Sequence, residues 1–410
     1  MEREEKIMEK EVKDIFNEIV EDLLKKEQEK RKKVIKKEED MEFENIDSIE
    51  NEVLEVSQEV LKEIKKRKEK EEKFKKATEL KTTEKLLSNV FLFDLLTGGI
   101  PIGKFTMFHG EKSTSKSTFA LRICRSFLEN YDRKVLYIDF EDTFDVEWAK
   151  TIFGKEEFLD NVYVAKPAYL EEGIEIVNDL KEEERFNEIG LIVVDSLASM
   201  VPLAEAESEA EQSLVGLLAR GLNRFLRKLL VFSIEGMKNG FPVTTILINQ
   251  VRMGFQSMGG PFRLPQEVKP GGKFQEALVS LDVKFTKGTI HKENDVPILA
   301  EYKFKIEKNK TGGFHDITGS FTMVLIDTDK YKRGEIIDIP IVINVIKKLG
   351  FLEQEGSKYR FLNEEYKTQK EIAERLREDN EFRKKVVTYI YQKVWNEPQL
   401  IKDILKKKEK

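Results

Sequence analysis

The sequence predicts an α/β fold: an open, mostly parallel central sheet wrapped by helices, with a helical N-terminal extension and a small α+β C-terminal domain. Three observations carry this expectation. Apolar strand-like runs alternate with amphipathic helical stretches through the middle of the chain, the pattern of parallel strands joined by helical crossovers. One of those runs, 191–194, reads Leu-Ile-Val-Val, apolar on both faces as a strand covered on both sides demands. The apolar run 105–108 passes through a short polar loop into a helical pattern near Phe119, so strand, tight turn and helix follow one another directly.

Taken in order, residues 1–80 contain no glycine or proline, and more than half are charged. Met8, Val12, Ile15, Phe16, Ile19 and Leu23 recur at helical spacing, as do Ile46, Ile49, Val53, Val56, Val60 and Ile64. A solvated helical spacer accounts for this composition. A narrow apolar stripe needs cover, however, so docking on a neighbouring subunit is the second reading, and its partner is not legible. The core follows: 134–140 and 161–164 read as strands, 170–180 as a helix, 213–238 as a long helix and 243–248 as a strand. The expected divisions are 1–82 for the extension, 83–330 for the core and 331–410 for the C-terminal domain.

Composition narrows the function. The single cysteine, Cys124, excludes a disulfide framework or a thiolate zinc site and suits a reducing cytoplasm. His109, His291 and His315 are too scattered to suggest a histidine-built metal site. No apolar run is long enough to cross a bilayer, and the charged N-terminus lacks the apolar core of a signal peptide. A cytoplasmic location without a membrane partner is therefore expected. With a formal net charge of −6, nucleic-acid binding would have to rest on local clusters.

The loop after residue 108 carries the chemistry. Gly110, Glu111, Lys112, Ser113, Thr114, Ser115, Lys116, Ser117 and Thr118 place a glycine and a Lys-Ser pair where G-x-x-x-x-G-K-[ST] requires them. Ser115 stands where the second glycine belongs. In such a loop, backbone N–H groups at a helix N-terminus cradle phosphates, the lysine reaches the β/γ-phosphates, and the hydroxyl holds Mg²⁺. ATP and Mg²⁺ are the expected ligands. Asp195 closes its strand and can bind the water shell of Mg²⁺ beside Ser117, while Glu141, after another strand end, can activate an attacking water.

Several segments then occur in one order: Tyr137-Ile138-Asp139-Phe140-Glu141 with Phe144-Asp145-Val146-Glu147-Trp148-Ala149, Val194-Asp195-Ser196-Leu197-Ala198, Ile248-Asn249-Gln250-Val251-Arg252-Met253, Gly271-Gly272, Lys308-Asn309-Lys310, and Gly334-Glu335-Ile336-Ile337-Asp338. From about residue 90 to 387 the chain resembles the bacterial RecA-type DNA recombinases. The resemblance implies a RecA-like P-loop ATPase core with Glu141 as catalytic base and Gln250 as sensor of the γ-phosphate. Asp145 and Trp148 fall where the family contacts adenine. Lys308 and Lys310 match lysines that reach a neighbour's ATP, as an arginine finger would, which makes ATP part of a self-associated helical filament.

The same resemblance implies a DNA site. Arg220 and Arg227 match positions that contact single-stranded DNA. Arg224 extends the set by spacing, because residues three and four apart share a helix face and guanidiniums suit phosphodiesters. A solvated basic face would read identically. Residues 205–212 match a first DNA loop. The second is 252–269, a long segment without regular pattern, with Arg252, Phe255, Met258, Arg263 and Lys269 as contacts and Phe255 as a wedge between bases.

The implied function is ATP-dependent homologous recombination: filaments on single-stranded DNA, pairing and strand exchange with double-stranded DNA, and DNA-stimulated ATP hydrolysis. A ring helicase of the same fold and a non-hydrolysing, ATP-gated DNA-coating scaffold are the alternatives. Ser115, the Lys273-Phe274-Gln275-Glu276-Ala277 sequence after the paired glycines, the basic tail 406–410 and the long extension depart from the family pattern. They suggest a divergent member, with a phage origin as one reading.

Overall fold

The elements alternate as the periodicity predicts. In chain order they are β1 (Lys85–Leu86), α1 (Phe91–Thr97), β2 (Ile100–Pro101), β3 (Phe105–Gly110), α2 (Lys116–Asn130), β4 (Lys134–Asp139), α3 (Val146–Phe153), β5 (Val162–Ala165), α4 (Leu170–Glu182) and β6 (Ile189–Asp195). There follow α5 (Leu203–Ala206), α6 (Leu217–Lys238), β7 (Thr244–Gln250), β8 (Arg252–Phe255), β9 (Pro265–Val268), α7 (Phe274–Leu278), β10 (Leu281–Glu293), β11 (Val296–Asn309) and β12 (Ile317–Val324). Last come α8 (Ile339–Lys348), β13 (Glu353–Glu355), β14 (Lys358–Phe361), β15 (Glu364–Tyr366), α9 (Gln369–Glu378), α10 (Asn380–Asn396) and α11 (Ile401–Leu405). This computed structural model describes residues 77–79, 82–207, 216–255, 265–356, 358–362 and 364–405. The apolar stripes of the extension, most of 205–212, Met258, Arg263 and the basic tail lie outside the described residues.

Eight strands form the central sheet in the order β12-β11-β10-β3-β7-β6-β4-β5. Strands β10, β3, β7, β6, β4 and β5 pair in parallel, and β11 and β12 add antiparallel partners at one edge. The predicted α/β class with a mostly parallel sheet is the one observed. Strand β6 is buried at all seven positions, and the strand period of two divides its side chains between two cores. Leu191 and Val193 join the core shared with α2 and α3, whereas Ile192 and Val194 join the one shared with α4 and α6. Each large apolar side chain buried this way contributes about 1.5–3 kcal/mol. Cys124 lies fully buried on α2 within the first core, and burial pushes its thiol far above the ordinary range.

Residues 82–410 form one compact unit. Within it the C-terminal segment packs on α1: the Tyr391 hydroxyl donates to the Phe91 carbonyl at 3.0 Å, and the Trp395 indole N–H to that of Leu95 at 3.1 Å.

One expectation is corrected. The ends of 252–269 are regular: β8 pairs antiparallel with β9, Arg252 opposite Val268 and Phe255 opposite Pro265. The chain leaves β7 at Gln250 and returns to Lys269, which neighbouring strands hold in place. Ends brought together in this way satisfy their backbone groups by pairing with each other.

Candidate functional site

Four adjacent strands end in a row, which gathers the polar residues. Gly110 lies opposite Gln250 in the β3–β7 register, and Asp139 opposite Asp195 in the β4–β6 register. The crevice beyond the carboxyl ends of such strands is where ligands of this sheet type bind.

Gly110 is required by space and backbone alike. Its φ is 148°, and a Cβ there would lie 2.1 Å from the Phe285 carbonyl oxygen. The loop then places Ser113 and Ser115 in left-handed conformations, with φ of 60° and 69°, so N–H groups are turned into an anion-binding concavity before α2. Ser115 carries the conformation that favours glycine, and its buried hydroxyl has no hydrogen-bond partner. The Lys116 ammonium folds over the loop, donating to the Glu111 carbonyl at 2.6 Å and the Gly110 carbonyl at 3.2 Å. Burial lowers its pKa, opposed by the charges of Asp195 and Glu141.

Asp195 is 2% exposed. Its Oδ2 accepts the Tyr137 hydroxyl at 2.6 Å, and the Ser117 side chain also bonds to it. Burial, with smaller contributions from the Glu141 and Asp139 charges, pushes its pKa up to about 6. A carboxylate held so far from water gains from a cation beside it, so Ser117 and Asp195 suit Mg²⁺. Glu141 Oε1 accepts three hydrogen bonds, from Gln250 Nε2 at 2.5 Å, Ser196 Oγ at 2.5 Å and Ser199 Oγ at 2.9 Å. Glu141, Gln250 and Ser199, with Lys112 and Arg252, line a cleft of about 560 Å³.

The remaining predicted residues are placed as follows. Asp145 caps α3, accepting the Trp148 backbone N–H at 2.6 Å. The Trp148 indole N–H donates to Thr118 Oγ1 at 3.2 Å, and the Arg333 guanidinium covers the ring at 4.9 Å. Lys308 and Lys310 reach the same side: their ammonium groups donate to the Glu276 and Ala277 carbonyls of α7. Arg220, Arg224 and Arg227 line one face of α6 and open on a cleft of about 500 Å³ between α4 and α6, together with Lys181, Asn223 and Lys228. Only Lys181 among these cations has an acidic partner within the described residues, Glu235 at 3.2 Å. Arg252 is exposed at the start of the hairpin, and Phe255 is the last residue of β8.

Lys269 differs from the other predicted contacts. It is ion-paired to Asp282 at 2.7 Å and Glu307 at 3.2 Å with 14% of its side chain exposed, which is a commitment within the chain. Sequence reading also missed Tyr137, Ser196 and Ser199. Two hydroxyls within a turn after Asp195 were a usable signal for the serines, whereas nothing linear marks Tyr137 as an Asp195 partner.

A loop shaped for phosphate, with a buried carboxylate aligned beside its serine, defines a P-loop nucleotide-binding protein on a RecA-like sheet. Within that class the chain belongs to the RecA family: the family model described as RecA N-terminal domain matches residues 55–322. The chain is 32% identical to Protein RecA of Mesoplasma florum over 267 residues, 64% of this chain and 74% of that one. It is 30% identical to Protein RecA of Campylobacter fetus over 290 residues, 68% and 79% of the two chains. With that of Campylobacter jejuni it shares 32% over 254 residues, 62% and 69% of the two chains. It is a divergent, RecA-like recombination protein. Among the described residues, no helix is long and apolar enough to cross a membrane.

Proposed function

We propose that this chain couples ATP hydrolysis to single-stranded DNA, assembling a helical filament on it and driving homologous pairing and strand exchange with a duplex. The observation that carries the reading is the three-donor grip on Glu141. Gln250 supplies one donor, and two residues later the chain becomes the β8–β9 hairpin. A carboxylate facing a phosphate loop is thus bonded to a residue two positions before the predicted DNA-binding segment.

In this reading the loop 110–118 holds the phosphates of ATP, and Mg²⁺, held by Ser117 and Asp195, would supply charge neutralisation between them. With Oε1 fixed by its three donors, Glu141 uses Oε2 to orient and deprotonate water. Lys308 and Lys310 leave the α7 carbonyls for the phosphates of a neighbouring copy. Arg220, Arg224, Arg227 and Arg252 neutralise DNA phosphates, while Phe255 stacks between bases. The Trp148 ring, with one face taken by Arg333, offers its remaining surface to adenine.

Phosphate release with and without single-stranded DNA, read beside a strand-exchange assay, tests the proposal. Stimulated hydrolysis with exchange is expected. Hydrolysis indifferent to DNA, with DNA bound no more tightly in the presence of ATP, would sink it. Unwinding of a forked duplex by closed rings would support the helicase alternative, and ATP binding without turnover the scaffold.

A further inference from the structure

The return strand of the hairpin ends on an ionic cluster that is buried at His109 and Asp282 and open to solvent at Glu307. The Lys269 ammonium contacts Asp282 Oδ2 at 2.7 Å and Glu307 Oε2 at 3.2 Å. The same two carboxylates face His109 Nε2, at 3.3 Å from Asp282 Oδ1 and 3.1 Å from Glu307 Oε2. Ionised carboxylates only accept hydrogen bonds, so Nε2 directs an N–H toward them, whereas Nδ1 is buried without a hydrogen-bond partner. His109 and Asp282 are 1% and 4% exposed. The His109 hydrogen bond, followed by the His109 and Lys269 charges, holds the Glu307 carboxyl down at about 2 against the opposing effect of its burial.

His109, Asp282 and Glu307 offer ligand atoms within 4.8 Å of one another, a spacing a divalent cation could use. Lys269 already supplies the positive charge there, so the cluster reads as an ion-pair network. Its importance lies in what it joins. His109 immediately precedes Gly110 of the phosphate loop, and Glu307 immediately precedes Lys308. Asp282 sits beside Met107 in the β10–β3 register.

The two ends of the hairpin are therefore tethered differently. The entry is held by Gln250 on Glu141. At the exit, Asn249 and Gln275 side-chain amides bind the Pro270 carbonyl at 3.1 and 2.6 Å, and Lys269 fixes the end of β9 to β10 and β11, whose carboxylates also face His109 on the strand that carries the loop. A hairpin held at one end pivots; held at both, it follows its supports. Removing the Lys269 charge would leave the Asp282 carboxylate, its side chain 6% exposed, without that compensation, so releasing the exit tether is costly.

We infer that Lys269 is a positioning residue: through Asp282, Glu307 and His109 it couples the β8–β9 hairpin to the phosphate loop, so that nucleotide binding sets the hairpin's placement. The inference rests on the proposed function for the loop's ligand and for the identity of what the hairpin binds.

Hydrogen exchange of residues 252–268 in the full chain, with and without a poorly hydrolysed ATP analogue and Mg²⁺, tests it. The wild-type hairpin should change its exchange rates by at least about five-fold on nucleotide binding, the lower range of measured couplings. Lys269→Met should lose most of that response while keeping nucleotide affinity, and Lys269→Arg, which retains the charge, should restore it. Glu307→Gln, at a partly exposed position, should weaken the response as well and serves if Lys269→Met does not fold. A wild-type hairpin that ignores nucleotide, a Lys269→Met hairpin that responds like wild type, or an arginine variant no better than methionine overturns the coupling. Absence of DNA-stimulated hydrolysis in the wild type is a separate outcome: it counts against the recombinase reading and leaves the exchange comparison decisive for the tether.

Discussion

Gln250 and Glu141, 109 residues apart in the chain, share a 2.5 Å hydrogen bond from Nε2 to Oε1. Strands β4 and β6 end level at Asp139 and Asp195, and the parallel neighbour β7 runs on to Gln250, so side chains at three strand ends converge. Glu141→Gln keeps the shape of this contact and removes the base. Hydrolysis should fall on the order of 100-fold or more, the usual range for a lost general base, with nucleotide affinity kept within a few-fold. Phosphate release beside fluorescent-nucleotide titration measures both; retained hydrolysis would remove Glu141 from its role.

Ser115→Gly should stabilise the chain. The serine has φ 69° and an orphaned buried hydroxyl. A left-handed non-glycine residue costs roughly 1–2 kcal/mol, offset in part by glycine's larger entropy loss on folding. A gain of about 1 kcal/mol in denaturation is expected, with phosphate release at least as fast as in the parent. A slower variant would mean that the serine hydroxyl assists turnover.

Lys308→Gln with Lys310→Gln should abolish ATP-dependent assembly in sedimentation while the separate subunits still bind nucleotide. Burial, reinforced by the neighbouring Lys310 charge, lowers the Lys308 pKa, so the free subunit gains little from holding both ammonium groups together. A neighbour's phosphates would relieve that repulsion. Unchanged assembly would leave the pair as a local contact with α7.

Arg220, Arg224 and Arg227 make a prediction about salt. For each arginine that neutralises a DNA phosphate, replacement by glutamine should reduce the slope of log affinity against log salt by about 0.7 for single strands. Fluorescence anisotropy across a salt series reads it directly. An Arg224→Gln slope equal to wild type would place that arginine off the DNA path.

Asp94 predicts a pH dependence of stability. Burial pushes its carboxyl up to about 7, opposed by hydrogen bonds from the Ser88 amide and hydroxyl at 2.8 and 2.7 Å. Between its unfolded value of 3.8 and about 7 the folded chain keeps a proton that the unfolded chain has released. Stability contributed by this group therefore falls as pH rises through that window and is level above it, by at most on the order of 4 kcal/mol. Denaturation of Asp94→Asn at pH values inside and above the window should show a smaller difference than the parent; an equal difference would assign the dependence elsewhere.

The parts of the site legible in the sequence are those where function imposes a local order. Gly110, Lys116 and Ser117 must be contiguous to form one loop, and Asp195 and Gln250 advertise themselves by closing apolar strands. The β8–β9 hairpin was hidden because its pairing depends on anchors outside the segment. The His109–Glu307 contact spans 198 residues and arises because β10 and β11 continue the sheet beside β3. No spacing rule reaches across such a distance. For Lys269 too, the sequence reports a charge but not the Asp282 and Glu307 carboxylates that fold beside it.

Cys124 has a practical consequence. The chain's one thiol is sealed inside a core and held in its unreactive protonated form. A cysteine introduced on the hairpin or on the exposed face of α6 would be the only one open to maleimide chemistry in the native protein. Dyes could be placed there without first mutating the background. Slow labelling of Cys124 itself would then serve as a clock for the opening of the helix behind the phosphate loop.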